Sequence, residues 1–256
     1  MDKSEIFGIP VDNVTKEEAV NAAVSRIEKG IYTVVVTPNA EIIKKCIDDK
    51  NVKKAVTSAN MILPDGDGTL WAAKELGVPI KEKVAGVEFG KELIKEATAR
   101  GFKLFLLGGK PGVAEKAAEN LKKEYPNLAI CGFSDGYFGK SGIESDKMIK
   151  KINDSGADIL YVCLGAPAQE IWVYENREKL SSVKLVACLG GSLDIYAGTV
   201  KRAPALFVKL KLEWFWRLLK QPTRIGRMMN IPKFMIYVKK YKKQMKKESR
   251  GIANES

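Results

Sequence analysis

The sequence predicts an α/β fold: a mostly parallel, Rossmann-like sheet with helices on both faces. Short, almost continuous apolar segments alternate along the chain with helical patterns, and such strands are typical of parallel sheets that are covered on both sides. The chain has 256 residues, 45% of them hydrophobic, so it can bury an extensive core. We expect residues 1–199 to form one α/β domain and residues 200–256 to form an appendage.

Local patterns predict the elements of this domain. Thr15 and Glu18 form a capping-box pattern before a helix that ends at Gly30. Further helices are predicted over residues 40–48, 52–58, 69–76, 86–100, 143–155 and 169–179, with another that follows Gly112 and runs to Tyr125. Strands are predicted over residues 31–36, 61–63, 103–107, 128–133, 159–164 and 185–189.

The composition excludes several classes of chemistry. The chain has no histidine, which removes Ser-His-Asp and Cys-His catalysis and leaves proton transfer to carboxylates, Lys, Tyr, Cys or the ligand. Its four cysteines are scattered without metal-ligand spacing, so we expect buried, reduced thiols in a cytosolic protein. No secretory signal and no membrane-spanning segment is expected, because the start lacks a basic and apolar pattern and the apolar runs are short.

The positive charge is concentrated in the appendage. Residues 200–256 hold 16 Lys and Arg against 3 acidic residues, whereas the first 199 residues hold 27 against 28. Such a basic segment seeks phosphate-rich partners, for which nucleic acid, anionic lipid and a pyrophosphate ligand are candidates. Aromatic and aliphatic residues interleave with these cations, which favours a helix at an anionic membrane surface. Nucleic acid explains the charge but not the apolar residues, so we expect no nucleic-acid partner.

An alternative is that the apolar residues of the appendage pack on the domain. We expect Pro204, Pro222 and Pro232 to divide the appendage into two or three short helices. Residues from about Lys246 onward resemble a solvated end. Apolar surface exposed on the appendage in water also favours self-association, so a homo-oligomer is possible.

Informative turns follow nearly every predicted strand. In an open parallel sheet, ligands bind beyond the carboxyl ends of the strands, so these turns should line one rim. Glycines and helix N-termini there suit a nucleotide diphosphate, although glycine also occurs merely to make a turn. Neither Gly-x-Gly-x-x-Gly nor the P-loop pattern is present. The turns are Thr37-Pro38-Asn39, Pro64-Asp65-Gly66, Gly108-Gly109, Gly165-Ala166-Pro167 and Gly190-Gly191-Ser192.

Asp65 is the strongest candidate for a catalytic residue. It directly follows an apolar strand and lies between Pro64 and Gly66, where a carboxylate can be partly desolvated and so made more basic. An aspartate at this position can also simply stabilise the turn. Together with Asp67 it resembles the Asp-x-Asp pair of metal-dependent sugar transferases, so that reading stays open.

Several long motifs resemble those of the WecG/TagA/CpsF family of bacterial glycosyltransferases. They are CLGAPAQEIW at residues 163–172, GSLDIYAGTVKRAP at 191–204, and EWFWRL at 213–218 with Pro222 and Arg224. The turns at Thr37 and Asp65 fit the family too, so the resemblance covers nearly the whole chain. Ala168 departs from the pattern, because the family usually has lysine there, and this puts a contact to the leaving diphosphate in doubt.

The resemblance implies an inverting, metal-independent transferase that is peripheral on the cytoplasmic face of the membrane. One branch of the family moves N-acetylmannosamine from its UDP donor (UDP-ManNAc) to undecaprenyl-diphosphate-linked N-acetylglucosamine. That transfer makes the β-1,4-linked disaccharide lipid of wall teichoic acid, and the basic amphipathic tail favours this branch. Another branch transfers N-acetylmannosaminuronic acid. A rival from a different class is a non-catalytic nucleotide-binding module that the appendage recruits to membranes or RNA.

The resemblance also implies roles for particular residues. Asp65 would take the proton from the 4-hydroxyl of the acceptor, while Thr37 and Asn39 orient sugar or acceptor hydroxyls. In the absence of a metal, arginines of the appendage would neutralise the diphosphate, and docking of the appendage would complete the active site. The alternative is that these arginines bind only lipid headgroups. UDP would lie along Gly108, Gly109 and the Gly190-Gly191 turn. Contacts to the base, the ribose or the sugar would come from Tyr137, Gln169 and Asp194. The arginines that would bind the diphosphate are Arg217, Arg224 and Arg227.

Overall fold

The computed structural model describes residues 2–200, 204, 207, 216, 226 and 229–254 of the chain. Its strands are β1 (Lys3–Ile6), β2 (Ile9–Asp12), β3 (Thr33–Val36), β4 (Met61–Ile62), β5 (Leu104–Gly108), β6 (Ile130–Ser134), β7 (Ile159–Cys163) and β8 (Leu185–Cys188). Its helices are α1 (Lys16–Glu28), α2 (Ala40–Asp48), α3 (Lys50–Thr57), α4 (Asp67–Leu76), α5 (Gly86–Arg100), α6 (Val113–Glu124), α7 (Gly142–Asp154), α8 (Ala168–Asn176), α9 (Ser192–Tyr196) and α10 (Asn230–Asn254).

Six strands form one parallel sheet in the order β4-β3-β8-β7-β5-β6. The predicted α/β class is therefore confirmed. The connection after β5 leads outward to β6, whereas the connection after β7 leads the other way to β8. The crevice between β5 and β7 is thus a topological switch point, where parallel sheets of this kind commonly bind ligands.

Alternating side chains of the strands divide the core into two layers. Val34 and Val36 of β3 pack with apolar residues of α2, α3, α4, α7, α8 and α10. Val35, between them, packs on the opposite face with α1, α5, α6 and α9. Because both faces are covered, the strands are almost wholly apolar, which is why they could be recognised in the sequence.

A β-hairpin of β1 and β2, which was not predicted, covers the β4 edge of the sheet. Asp12, at its end, is fully buried, and its Oδ2 accepts a hydrogen bond of 2.6 Å from the backbone N–H of Ile62 in β4. Burial raises the pKa of the Asp12 carboxyl, and Lys3, 3.6 Å away, partly opposes that shift. The hairpin was missed because its strands are short and pair only with each other.

The described end of the appendage packs on the domain through α10. Phe234 and Val238 of this helix are fully buried, and the Phe7 ring of the hairpin lies 6.0 Å from the Phe234 ring. Lys242 Nζ also contacts Glu75 of α4 at 2.8 Å. One face of α10 therefore packs its apolar residues on the domain, which is the alternative to the membrane-surface prediction.

Pro232 lies in the first turn of α10, so a helix begins at this proline as expected, although that helix has 25 residues and is not short. Proline is tolerated there because the first-turn N–H groups have no partner within the helix. The helix continues through the expected solvated end to Asn254, and Lys247 in that segment is exposed. Pro222 lies outside the described residues.

All four cysteines are free thiols, as predicted, and three of them are buried. Burial raises the pKa of Cys46 and of Cys163 to about 12, so both thiols stay protonated at neutral pH. Among the helices that the structure describes, none combines the length and hydropathy needed to cross a bilayer.

Candidate active site

The parallel sheet brings the predicted turns together at one rim. The turns after β3, β4, β5, β7 and β8 all lie at the carboxyl ends of neighbouring strands. Val36 at the end of β3 pairs with Ile62 and with Cys188, and Gly108 at the end of β5 pairs with Cys163. Asp65 therefore lies at the same edge of the sheet as the glycine turns.

Asp65 is half-buried and fixed by neighbouring turns. Its backbone N–H donates to Pro38 O at 3.3 Å. Its carboxylate oxygen Oδ2 accepts from the backbone N–H of Gly86 at 3.4 Å. Gly86 is the first residue of α5, so the carboxylate faces the positive end of a fifteen-residue helix. This placement holds the carboxylate at the rim in a defined orientation.

The turn after β3 supports the position of Asp65. Asn39 caps α2, since its side chain accepts from Ile42 N at 3.1 Å. Thr37 is buried, and its hydroxyl lies 3.4 Å from Cys188 O of β8. A Cβ atom on Gly86 would come within 2.8 Å of the Thr37 hydroxyl oxygen. Thr37, Asn39 and Asp65 thus form one tightly packed cluster, in which the threonine and asparagine oxygens already have protein partners.

Glycine is required at the crevice between β5 and β7. A Cβ atom on Gly108 would lie 2.3 Å from Cys163 O, and its φ is +133°. The neighbouring Gly109 donates its N–H to the same carbonyl at 3.2 Å and accepts from Gly136 N at 2.9 Å. The loop that carries Gly136 therefore lies directly on the glycine turn. Tyr137, next in that loop, is 69% exposed and is available to a ligand.

Gln169 of α8 accepts a hydrogen bond from the turn after β8. Gln169 Oε1 accepts from the backbone N–H of Gly190 at 3.1 Å, and its Nε2 donates to Glu170 at 2.8 Å. Gln169 is buried, so both ends of its amide serve the protein in this structure. Asp194, in the short helix α9 after this turn, is half-buried, and its backbone oxygen accepts from the hydroxyl of Thr199.

Asp67 differs from Asp65 in its electrostatic surroundings. Its two carboxylate oxygens lie 3.3 and 3.4 Å from Lys83 Nζ, so the Asp67 carboxylate is already paired with an ammonium group. Among the described residues, no three His, Cys, Asp or Glu side chains cluster as metal ligands. This arrangement offers little support for Asp65 and Asp67 as a joint metal site.

Lys140 is a cation at the rim that the sequence patterns did not point to. Its Nζ donates to Gly136 O at 2.7 Å and to Phe138 O at 2.6 Å, and it lies 3.6 Å from the centre of the Phe138 ring. The carboxylates of Asp135 and Glu144 are near enough to act on its charge. Burial lowers the pKa of this lysine. Lys140 is bonded to Gly136, whose N–H donates to Gly109 O, so this cation lies on the loop that packs against the glycine turn.

Two further site residues were missed. The N-terminus of α5 at Gly86 could have been inferred, because helices that return to a parallel sheet begin at the rim. Glu170 carried no such signal, since its burial depends on how α8 packs. The three arginines expected at the diphosphate, Arg217, Arg224 and Arg227, lie outside the described residues.

Comparison with known proteins places the chain in one family. A model of the glycosyl transferase WecG/TagA/CpsF family matches residues 4–248. A Bacillus subtilis protein is 35% identical over 220 residues, which are 86% of this chain and 84% of the relative. A Staphylococcus aureus protein is 32% identical over 249 residues, which are 96% and 95% of the two chains.

A Bacillus spizizenii protein is 34% identical over 215 residues, 84% of this chain and 81% of the relative. All three relatives are named N-acetylglucosaminyldiphosphoundecaprenol N-acetyl-beta-D-mannosaminyltransferase. The family match spans nearly the whole chain, including every turn of the rim. This chain is therefore a member of the WecG/TagA/CpsF family of glycosyltransferases.

Proposed function

We propose that this enzyme transfers N-acetylmannosamine from UDP-ManNAc to undecaprenyl-diphosphate-linked N-acetylglucosamine in wall teichoic acid synthesis. The observation that carries the proposal is the position of Asp65, a half-buried carboxylate at the rim that also bears the glycine turns. The names of the three relatives support the same acceptor and the same transferred sugar.

In the proposed reaction, Asp65 is the general base of a single displacement. The acceptor 4-hydroxyl attacks the anomeric carbon of the donor sugar, and its proton passes to the Asp65 carboxylate. The bond from the anomeric carbon to the UDP oxygen breaks at the same time, so the configuration inverts to a β-1,4 linkage. The hydrogen bond from Gly86 N would hold the carboxylate while this occurs.

UDP would lie along the glycine half of the rim. Backbone N–H groups can approach phosphate closely where a Cβ is missing, as at Gly108 and Gly109. Lys140 is a cation of the domain that can neutralise the departing diphosphate, and Arg217, Arg224 and Arg227 are the cations proposed from the appendage. Thr37, Asn39 and Gln169 then act chiefly by positioning, with Tyr137 and Asp194 near the nucleoside.

The appendage is proposed to attach the enzyme to the cytoplasmic face of the membrane. Met235 and Ile236 of α10 are 38% and 56% exposed, and Lys239, Lys240 and Lys243 follow on the helix surface that faces away from the buried Phe234. Exposed apolar side chains beside lysines suit a surface of anionic lipid. The alternative is that the same apolar residues contact a second copy of this chain.

Vesicle sedimentation tests the membrane proposal. Replacing both Met235 and Ile236 by serine should reduce binding to phosphatidylglycerol vesicles severalfold, because each substitution removes an apolar side chain that would insert into the lipid. Ile143→Ser is the matched control, since Ile143 is 75% exposed but lies on α7, outside the appendage. Equal binding by the double variant and the wild type would contradict this use of α10.

A metal-dependent reaction through Asp65 and Asp67 is the second mechanism to test. Lys83 in front of Asp67 opposes it, because a bound cation would have to displace the ammonium group. We expect full turnover in excess chelator. Loss of activity in chelator with recovery on addition of manganese would establish the metal-dependent route instead.

Product analysis tests the proposed function directly. The enzyme is incubated with a lipid-diphosphate N-acetylglucosamine acceptor and with UDP-ManNAc, UDP-N-acetylmannosaminuronic acid or another UDP-sugar. The masses of the products are then measured by mass spectrometry. The expected product carries one added N-acetylhexosamine from UDP-ManNAc. Transfer of the uronic acid would assign the other branch of the family. UDP binding without any transfer would indicate a nucleotide-binding module.

A further inference from the structure

A buried carboxyl group lies beneath the rim in α8. Glu170 is 2% exposed, and its Oε1 accepts a hydrogen bond of 2.8 Å from Gln169 Nε2. Its second oxygen, Oε2, has no hydrogen-bond partner among the described residues. Burying an incompletely paired carboxyl costs free energy, so a glutamate at such a position calls for a reason other than stability.

Glu170 determines which way the Gln169 side chain faces. An amide can be turned by half a rotation, which exchanges its oxygen and its NH2 group. The oxygen must face the backbone N–H of Gly190, from which it accepts at 3.1 Å. In the reversed orientation, an NH2 group would face that N–H and neither could accept. The Glu170 oxygen accepts from NH2 alone, so it favours the first orientation.

A second contact ties the neighbouring turn to the same cluster. Lys45 Nζ donates to Ala166 O at 3.3 Å and lies 3.1 Å from Glu41 Oε1. The positive charge of Lys45 favours the ionised form of Glu170, although burial dominates and raises the pKa of this carboxyl. The turns after β7 and β8 are thus both fastened to side chains that surround one buried glutamate.

The Gly190 turn depends on this support because of its own conformation. Gly190 has a φ of +59°, and a Cβ atom on it would meet nothing within 4 Å, so the space on that side of the turn is open. The hydrogen bond from its N–H to Gln169 is the contact that joins it to α8. Backbone hydrogen bonds hold Leu189 and Ser192 on either side of this turn, so the bond to Gln169 acts on the Gly190 peptide itself and is sensitive to the orientation of the Gln169 amide.

We propose that Glu170 is a positioning residue, which orients the Gln169 amide and thereby sets the Gly190 turn that receives UDP. The last step rests on the proposed function, whereas the orientation of Gln169 and Gly190 does not. Glu170 touches neither substrate nor reacting atoms in this proposal. It acts through two hydrogen bonds in series, one that Gln169 donates to Glu170 and one that Gly190 donates to Gln169.

Three variants of the full-length enzyme separate this role from a purely structural one. In Glu170→Gln the new side chain still offers an oxygen to Gln169 Nε2, so both hydrogen bonds can persist. Glu170→Asp shortens the side chain and withdraws the oxygen. Glu170→Met keeps the volume but removes the acceptor. Glu175→Met, at an exposed position of the same helix, is the control.

Two measurements are made on each variant. The first is UDP affinity by calorimetry, and the second is the hydrogen-exchange protection and amide chemical shift of Gly190 by NMR. We expect Glu170→Gln and Glu175→Met to match the wild type. Glu170→Asp and Glu170→Met should bind UDP at least tenfold more weakly and lose protection at Gly190.

The outcomes decide the proposal even if Glu170→Met fails to fold, because the Gln and Asp variants keep a polar group in the site. Wild-type protection of Gly190 in Glu170→Asp would overturn it. Equal loss in the Gln and Asp variants would also overturn it, because Glu170→Gln keeps the acceptor oxygen and should therefore keep the Gly190 turn in place. If the wild type transfers no sugar, the proposed function fails, but the Gly190 measurement still tests the positioning.

Discussion

The two halves of the rim differ in what they present to a ligand. The turns after β3 and β4 present side chains, chiefly the Asp65 carboxylate supported by Thr37 and Asn39. The turns after β5 and β8 present backbone, at Gly108, Gly109 and Gly190. The first half can therefore be altered chemically without a change of shape, whereas a single methyl group at Gly108 or Gly109 of the second half would collide with its neighbours.

Close packing of the strands explains this difference. Gly108 lies at the end of β5 beside Cys163 of β7, so close that no side chain fits between them. Asp65 instead follows the two-residue strand β4 at the sheet edge, where the turn has room for a carboxylate and for the N-terminus of α5. We infer that one half is built for proton transfer and the other for close approach of phosphate.

The largest expected effect is that of Asp65→Asn. The amide has nearly the same shape as the carboxylate but cannot accept the acceptor proton, so turnover should fall about 10³-fold, or about 4 kcal/mol in the activation barrier. UDP affinity should stay within about threefold, because the glycine half is unchanged. Initial rates and calorimetry on the same preparation measure both quantities. Near-normal turnover would remove Asp65 as the base.

A methyl group at Gly108 should break the other half of the rim. Gly108→Ala places its Cβ 2.3 Å from Cys163 O at a φ of +133°, and we expect a loss of about 3 kcal/mol in the free energy of unfolding. UDP affinity should fall at least tenfold.

Gly112→Ala is the matched control for Gly108→Ala. Gly112 also has positive φ, but a Cβ there meets nothing within 4 Å, so about 1 kcal/mol is expected from backbone strain alone. Urea denaturation and UDP titration compare the two variants. If they were equally destabilised, contact with Cys163 would not be the reason for glycine at position 108.

The smallest expected effect concerns the cation of the glycine half. Lys140→Met should weaken UDP binding about tenfold and leave uridine binding unchanged, because only UDP carries the diphosphate. Lys103→Met, at the opposite end of β5, is the control. Equal loss for UDP and uridine would mean that Lys140 merely fastens its own loop.

The pH dependence of UDP binding gives a second test of Lys140. Burial lowers the pKa of its ammonium group below the usual value for lysine, and only the charged form attracts diphosphate. UDP affinity should therefore fall as the pH rises through that lowered pKa. The fall should occur at a lower pH than the pKa of an ordinary lysine predicts. Lys140→Met should show no such fall.

Much of the fold could be predicted from the sequence because local signals agreed with the tertiary structure. The helix over residues 40–48 was predicted at its observed bounds, since Asn39 is a strong N-cap and the helix ends at Asp48. The β1–β2 hairpin was missed because its strands carry no long apolar run. Pro232 was expected to mark a boundary between helices, and it lies in the first turn of α10.

The site was predictable to the level of the rim but not of its contacts. The turns that carry Asp65, Gly108 and Gly190 could be placed together because parallel strands end at a common edge. That Glu170 is buried, or that Lys140 is held above the Phe138 ring, depends on which helices pack together. Such contacts join residues far apart in the chain.

By itself, the sequence determined the α/β class, the turns at the strand ends and the separation of a basic appendage from a nearly neutral domain. These properties follow from local periodicity, backbone preference and charge, which neighbouring residues carry among themselves. Only the tertiary structure decided that Gly86 supports Asp65, that Gln169 fastens Gly190 and that Phe234 docks α10. Those arrangements depend on burial and distance between separate elements, which no local pattern encodes.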